Sequence, residues 1–179
     1  MFFYDLQRWI EDPFILFYLW QGGLSFHGGL IGVIVSLYIF SIKQKISFLA
    51  LMDSIALAMP IGLGLVRIGN FLNGELFGRP TNGEWGFIFP TDPLGIPRHP
   101  SQLYECFLEG IILFFVLNYI ARQNVAKGVT ASALLIFYGL FRFIVEFFRQ
   151  PDMHIGLIAF DLSMGQILSL PMMIIGLVL

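Results

Sequence analysis

The sequence predicts an all-α fold, a polytopic membrane helix bundle, from its composition and from the arrangement of its apolar residues. Of 179 residues, 57% are hydrophobic and only 12% are charged, about half the charged fraction of soluble globular domains. The hydrophobic residues also form long runs, which a single soluble core does not need. This composition excludes a disordered chain, and a net charge of −2 offers no basic face for nucleic acid.

Five apolar runs predict five spanning helices, because a helix needs roughly 20 mostly apolar residues to cross a bilayer. The first run contains no Asp, Glu, Lys or Arg and a single histidine, His27, and the second is interrupted only by Asp53. The third carries Glu105 and Glu109 in its first half. The runs cover residues 22–42, 46–66, 101–121, 128–148 and 162–179.

The segments outside these runs predict loops. Residues 1–21 lack the basic start and the cleavage site of a signal peptide, and their aromatic residues around Pro13 are typical of a membrane interface. Residues 79–100 contain five prolines and three glycines, which predicts a long loop with no helix and no central strand. No internal repeat divides the chain, so residues 1–179 are expected to form a single transmembrane domain.

The basic residues predict the orientation of the bundle. Four of them lie in short connections on one side, which we assign to the cytoplasm: Lys43, Lys45, Arg122 and Lys127. The opposite side has more basic residues by a raw count, but all of them are arginines: Arg8, Arg67, Arg79, Arg98, Arg142 and Arg149. Because arginine binds phosphate or carboxylate bidentately, we interpret this group as a binding site on the periplasmic side, together with the loop at about 79–100.

The segment from Arg67 to Arg79 is the first candidate site. If it is helical, Arg67, Asn70 and Gly74 share one face, and Asn73 and Glu75 add further polar groups. A helix cap with a snorkelling arginine would need fewer polar residues. The segment therefore favours a site for a polar head group.

A second candidate is a stripe of four residues at helical spacing, Tyr138, Arg142, Glu146 and Arg149, on one face of the fourth predicted helix. Glu146 can pair with either arginine, which lowers the cost of an ionised group in the bilayer. The stripe can be a ligand site or a structural ion pair between helices, and these two interpretations are compatible.

The remaining candidates are weaker. His27 can serve as a general base, although its glycine-rich surroundings taken alone favour a packing role. Ser101 is expected to cap the third helix, with Glu105 near its first turn, but capping does not explain Arg98 and Gln102. Cys106 is expected to be a small apolar residue rather than a nucleophile. No spacing indicates a metal site, and no glycine-rich loop indicates a nucleotide cofactor.

At these positions the chain resembles the prolipoprotein diacylglyceryl transferases (Lgt) of bacteria. The resemblance rests on residues 26–32, 67–78, 98–105 and 138–152. The family signature, Gly-Arg-x-Gly-Asn-Phe-x-Asn-x-Glu-x-x-Gly, is followed up to Gly78, with Val66 in place of the leading glycine. Members of the family have seven spanning helices, so the chain is expected to be an N-terminally truncated member with about five of them.

The resemblance implies an enzyme of the bacterial inner membrane that moves the diacylglyceryl group of phosphatidylglycerol to the lipobox cysteine of a prolipoprotein and releases glycerol phosphate. It implies no cofactor, metal or nucleic-acid partner. We predict His27 as the base and Arg67 and Arg142 as a phosphate clamp. The supporting head-group residues would be Asn70, Asn73, Glu75, Arg98, Gln102, Tyr138 and Glu146. A lipid- or anion-binding transporter subunit and an inactive fragment stay open as alternatives.

Overall fold

The computed structural model describes residues 26–150 and 162–179, with side chains from residue 29 onwards. Each predicted apolar run contains one helix, and the all-α class is confirmed. The elements in chain order are α1 (Phe26–Gln44), α2 (Phe48–Leu72), β1 (Phe87–Ile88), β2 (Pro97–Arg98), α3 (Ser101–Ala121), α4 (Val129–Val145) and α5 (Met164–Val178). The aromatic segment predicted for residues 1–21 lies outside the described residues.

Two of the described helices, α2 and α3, are long and apolar enough to cross a membrane. The other helices are apolar but shorter over the residues whose side chains are described, Gly29–Gln44, Val129–Val145 and Met164–Val178. Exposed large apolar side chains are found along all five helices, which is the expected pattern where lipid rather than water covers the surface. The chain is therefore a helical membrane protein, and the number of its helices that span the bilayer stays a prediction.

The chain divides into two compact units, at the boundary between Leu51 and Met52. In the first unit, α1 leads into a turn at Lys45, whose φ is +55°, and the ring of Tyr38 packs edge-on against Phe48. The second unit contains the rest of α2 and all later elements, with a core that includes Leu113 and Leu117 of α3. The prediction of a single domain over residues 1–179 is not tested by this division.

Small residues set the close contacts between the helices of the second unit. A Cβ added to Gly110 of α3 would lie 2.9 Å from Cα of Gly64 in α2. A Cβ on Gly176 of α5 would lie 2.8 Å from the carbonyl oxygen of Ser132 in α4. Small residues let the backbones of membrane helices approach closely. Such packing matters in a bilayer because lipid provides no hydrophobic driving force for helices to associate.

The helix α3 changes its winding near its start. Residues Cys106–Ile112 form a π-helical segment within the continuous helix, so the backbone of α3 is locally wider there. Glu109 and Gly110 are both buried in this segment. Single π-helical turns are frequently found at functional sites.

The connection between α2 and α3 is irregular, as predicted, and includes only a two-residue antiparallel pairing of β1 with β2. It starts earlier than predicted, since α2 ends at Leu72 and Gly74 adopts a φ of +68°. Two phenylalanines of this connection, Phe87 and Phe89, pack against Phe71 of α2 and against each other, with ring centroids 4.9–5.9 Å apart. This aromatic contact holds the loop against the end of α2.

Candidate functional site

The second unit brings three arginines and three glutamates together between α2, α3 and the end of α4. Arg67 comes from α2, the carboxylates of Glu105 and Glu109 from α3, and Arg142 from α4. Glu146 and Arg149 follow directly after α4. We call these six residues the arginine–glutamate cluster. Its formal charges cancel, which lowers the cost of holding ionised groups among apolar helices.

Glu105 is the residue on which the arginines of the cluster converge. Its side chain is fully buried, and its Oε2 lies 2.5 Å from Nε of Arg67. The same oxygen accepts a hydrogen bond of 2.8 Å from Nη1 of Arg142, and Oε1 lies 3.6 Å from Nη1 of Arg149. A single carboxylate therefore fixes the relative positions of three guanidinium groups that are far apart in the sequence.

Glu109 lies one turn further along α3 and is held less tightly. Its side chain is fully buried, 3.9 Å from Nη2 of Arg67 and 3.8 Å from Nη1 of Arg142. Neither carboxylate oxygen has a hydrogen-bond partner among the described residues. Glu109 thus contributes negative charge to both arginines without the directional bonds that Glu105 makes.

Glu146 connects the cluster to the start of α5. It accepts a hydrogen bond from Nη2 of Arg142, and its Oε2 accepts one of 2.7 Å from the hydroxyl of Ser163. Ser163 is the N-cap of α5 and forms a capping box with Gln166. A Cβ on Gly165 would lie 2.5 Å from Oε1 of Glu146, so a larger residue here would displace the carboxylate from its present position.

Tyr138 faces the cluster from the preceding turns of α4. Its phenol interacts electrostatically with Glu109, Arg142 and Arg67. The predicted stripe of Tyr138, Arg142, Glu146 and Arg149 is therefore brought to one site. The prediction that all four lie on one helix is wrong, because α4 ends at Val145, Glu146 is its C-cap, and Arg149 lies past the following turn in a β-bridge with Gly78.

The turn after α4 is fixed by the loop that follows α2. The backbone N–H of Arg79 donates to the carbonyl oxygen of Phe148, and Nε of Arg79 donates to that of Arg149. A Cβ on Gly78 would lie 2.5 Å from the Phe148 oxygen and 2.6 Å from the His99 oxygen. Gly78, the last residue of the family signature, is therefore a close-packing position that sets where Arg149 lies.

The polar residues after Arg67 follow the end of α2 into the loop. Asn70 is half-buried, and the side chains of Asn73 and Glu75 are exposed. The buried amide of Gln102 donates to the carbonyl oxygen of Glu75 at 2.5 Å. Because α2 ends at Leu72, the prediction that Gly74 shares a helical face with Arg67 and Asn70 is wrong.

Arg98 lies outside the arginine–glutamate cluster. It is buried in the loop, where Nε and Nη2 donate to the two carboxylate oxygens of Asp92 at 2.6 and 3.0 Å. Its guanidinium also stacks over the ring of Phe77 at 4.8 Å. The Arg98 hydrogen bond holds the pKa of Asp92 below its ordinary value. A substrate-binding role for Arg98 stays a prediction, since these contacts already account for its conformation.

One expectation about the start of α3 is wrong. Ser101 is the first residue of the helix rather than its cap, and its hydroxyl donates to the carbonyl oxygen of Leu76. Glu105 does lie just beyond the first turn, as expected, and its carboxylate contacts arginines from two other helices. Glu105 and Glu109 were not predicted as site residues, although two glutamates four residues apart in an apolar run are the signal that could have identified them.

An apolar cavity of about 290 Å³ opens between α2 and α3 beside the cluster. Gly64, Ile68 and Cys106 contribute to its wall, and Cys106 is partly exposed. The side chain of His27 lies outside the described residues, so its predicted role as the base stays a prediction.

Two comparisons with known proteins identify the family of this chain. The model of the prolipoprotein diacylglyceryl transferase family matches residues 1–179. The chain belongs to this family. A phosphatidylglycerol–prolipoprotein diacylglyceryl transferase from Geobacter sulfurreducens is 53% identical over 175 residues, which are 98% of this chain and 67% of the relative.

Two further relatives with the same name give the same result. The protein from Aeromonas hydrophila is 53% identical over 97% of this chain and 63% of its own length. The protein from Pasteurella multocida is 52% identical over 99% of this chain and 66% of its own length. The chain thus spans about two thirds of the length of the curated family members that it matches.

Proposed function

We propose that this chain carries the transfer centre of a phosphatidylglycerol–prolipoprotein diacylglyceryl transferase. The proposed reaction moves the diacylglyceryl group of phosphatidylglycerol to the thiol of a lipobox cysteine. The cysteine sulfur attacks the glyceryl carbon that bears the phosphate, and the bond between this carbon and the phosphate oxygen breaks. A thioether forms, glycerol phosphate leaves with the bonding electrons, and a base takes the thiol proton.

The observation that carries the proposal is the convergence of Arg67 and Arg142 on Glu105 among apolar helices. Each arginine has five N–H donors, and Glu105 and Glu146 use only some of those on Arg142. The remaining donors can bind phosphate oxygens. This grip would neutralise the charge that develops on the departing oxygen, which is the largest electrostatic demand of the reaction.

The other residues receive supporting roles in this proposal. Tyr138, Glu146 and Arg149 surround the two arginines, and Asn70, Asn73 and Glu75 offer polar groups to the glycerol head group near the end of α2. Gln102 anchors this segment through the Glu75 carbonyl. His27 would take the proton of the thiol, since a thiolate is the attacking form of cysteine.

The proposed location is the bacterial inner membrane, with five spanning helices and the cluster toward the periplasmic side. The support for this orientation is the position of the three lysines, which lie at the end of α1 and in the short connections predicted for the opposite side. Lipobox peptides would then approach from the periplasmic side, where residues 79–100 form the long loop.

A transporter subunit is the alternative, and one contact disfavours it. A pathway for anions would need polar groups through the cytoplasmic half, and Asp53 is the obvious one there. Its carboxylate instead accepts hydrogen bonds from the backbone N–H groups of Gly128 and Ala131 at 2.7 and 2.8 Å. Asp53 thereby caps the start of α4 and is not free to line a passage.

A transfer assay with the 179-residue chain in lipid nanodiscs tests the proposal. We expect label from phosphatidylglycerol carrying radioactive acyl chains to appear on a lipobox peptide. A peptide with serine in place of the cysteine is the matched control and should stay unlabelled. Labelled lipid that binds without any transfer would instead support the lipid-binding alternative or an inactive fragment.

A further inference from the structure

The two glutamates of α3 hold the same two arginines in different ways, and the difference indicates different roles. Glu105 makes a hydrogen bond to Arg142 and a contact of 2.5 Å to Arg67. Glu109 approaches the same arginines only to 3.8–3.9 Å. Neither of its buried oxygens has a hydrogen-bond partner among the described residues, whereas Oε2 of Glu105 has one. Buried carboxylate oxygens are normally hydrogen-bonded, so the position of Glu109 requires its own explanation.

We propose that Glu109 is a resident counter-anion: its carboxylate neutralises Arg67 and Arg142 while the site is empty and competes with the lipid phosphate for them. The inference rests on the proposed function and deepens it by assigning a positioning residue that limits how tightly the site holds phosphate. Glu105, in contrast, keeps its bonds to the arginines throughout and sets their geometry.

The charges around Glu109 support this role. The groups that face it are Arg67 from α2, Glu105 from α3 itself, Tyr138 and Arg142 from α4, and Arg149 from the turn beyond. The cluster is formally neutral before lipid binds, and a phosphodiester adds one negative charge. Because Glu109 makes no hydrogen bond to any residue that the structure describes, a phosphate can replace its interaction with the guanidinium groups without breaking a hydrogen bond among them.

A competing carboxylate also matters for release of the product. The phosphate of glycerol phosphate carries more negative charge than that of phosphatidylglycerol, because its ester bond to the diacylglyceryl group is gone. Two arginines without a competitor would therefore hold the product more tightly than the substrate. A carboxylate that returns to the arginines lowers that affinity, so turnover depends on it.

The test compares Glu109→Gln with Glu105→Gln and with Glu84→Gln, a matched control at an exposed loop position. Binding of phosphatidylglycerol and inhibition by glycerol phosphate are measured on the 179-residue chain in nanodiscs of zwitterionic lipid. We expect Glu109→Gln to lower the Kd for phosphatidylglycerol and the inhibition constant of glycerol phosphate by roughly 3- to 30-fold, because a charge that repels phosphate is removed. Its kcat should fall together with its KM.

The other variants should behave differently. Glu105→Gln should weaken binding, and Glu84→Gln should change nothing. Glu109→Asp keeps the negative charge but places it farther from the arginines, because the side chain is one methylene shorter. This variant should therefore tighten phosphatidylglycerol binding less than Glu109→Gln. Unchanged or weaker binding in Glu109→Gln would overturn the proposal, as would a Glu109→Gln chain that fails to fold, because Glu109 would then be a structural residue.

These outcomes separate the inference from the proposed function. If the wild-type chain transfers the diacylglyceryl group but Glu109→Gln binds phosphatidylglycerol and glycerol phosphate as the wild type does, only the counter-anion role is wrong. If the wild-type chain neither binds phosphatidylglycerol nor transfers its diacylglyceryl group, both proposals are wrong.

Discussion

The guanidinium groups of Arg67 and Arg142 lie in apolar helices, where the protein itself must supply acceptors for their N–H groups. Glu105 from α3 and Glu146 from the end of α4 accept hydrogen bonds from Arg142, and the Glu105 carboxylate lies 2.5 Å from Nε of Arg67. Removing either carboxylate would leave a buried charge short of its partner, which is costly in a low-dielectric setting. The carboxylates therefore stabilise the charged arginines among apolar helices and fix the orientation of their guanidinium groups.

At the scale of single residues, His27 gives the first prediction. If His27 takes the proton of the thiol, His27→Gln should slow transfer by roughly 10²–10⁴-fold, the usual range for a general base. The rate should recover in part at higher pH, where the cysteine ionises without help. The measurement is the pH profile of transfer, and an unchanged rate at every pH would return His27 to a packing role.

The Asp92–Arg98 pair gives a prediction about pH. The pKa of Asp92 is lowered from its ordinary value of 3.8, first by the Arg98 hydrogen bond. Because the pKa of Asp92 is lower in the folded loop, the ion pair stabilises the loop fully at any pH above the ordinary aspartate pKa. This stabilisation is lost as the pH falls through the lowered pKa of Asp92. Hydrogen exchange of residues 79–100, corrected for intrinsic rates, should therefore lose protection only below about pH 4.

Asp92→Asn is the control for this pH dependence. This variant lacks the charge at every pH, so its loop should exchange faster than the wild type at neutral pH and should show no further loss on acidification. A wild-type loop whose protection falls already near neutral pH would contradict the assignment of the effect to Asp92.

At this scale the sequence predicts the arginines and Glu146 but not Glu105, on which the arginines converge. Arg67 and Arg142 are conspicuous because charged groups are rare in apolar runs. Glu105 also fits a local role near a helix start, and that local interpretation was preferred. Only the fold shows that Arg142, which is 37 residues away in sequence, donates to it.

At the scale of elements, α3 is the helix that the sequence predicts best. Its bounds of 101 and 121 are those of the apolar run, since Pro100 precedes it and polar residues begin at Arg122. The end of α2 was predicted too early. Arg67 and Asn70 stop the apolar run but not the helix, which continues to Leu72, just before the positive φ of Gly74.

The contact between α2 and α3 gives a prediction about stability. Gly110→Ala would place a Cβ 2.9 Å from Cα of Gly64, where only backbone could move to make room. We expect a loss of roughly 1–3 kcal/mol, the usual cost of overpacking. The free energy of unfolding in detergent micelles measures it.

Gly62→Ala is the matched control in the same helix pair. A Cβ on Gly62 would meet no atom within 4 Å, and alanine favours a helix over glycine by roughly 0.8–1 kcal/mol. This variant should therefore be neutral or slightly stabilising. Equal losses in Gly62→Ala and Gly110→Ala would show that the close approach of α2 and α3 does not limit stability.

At the scale of the whole molecule, the orientation in the membrane is the open prediction. Lys43 and Arg122 are expected to face the cytoplasm, and residues 79–100 the periplasm. After replacement of Cys106, a cysteine at position 83 should react with an impermeant maleimide in whole cells, and one at position 43 should not. The reverse pattern would show that the orientation is inverted.

The central claim is that Arg67 and Arg142 grip the lipid phosphate by their geometry as well as their charge. Lysine keeps the charge but lacks the planar fork of arginine. Arg142→Lys should therefore lose most transfer activity while the protein still accumulates in the membrane. Glu146→Gln should lower the yield of protein as well, because it leaves the Arg142 guanidinium without one of its acceptors.

The most direct measurement is transfer from labelled phosphatidylglycerol to a lipobox peptide, normalised to the amount of protein in the membrane. For Arg142→Lys we predict a specific activity at least about tenfold below that of the wild type, the loss expected when a bidentate, charge-assisted contact is removed. Near-normal specific activity of Arg142→Lys would contradict the clamp and leave Arg142 as a point charge or a structural ion pair.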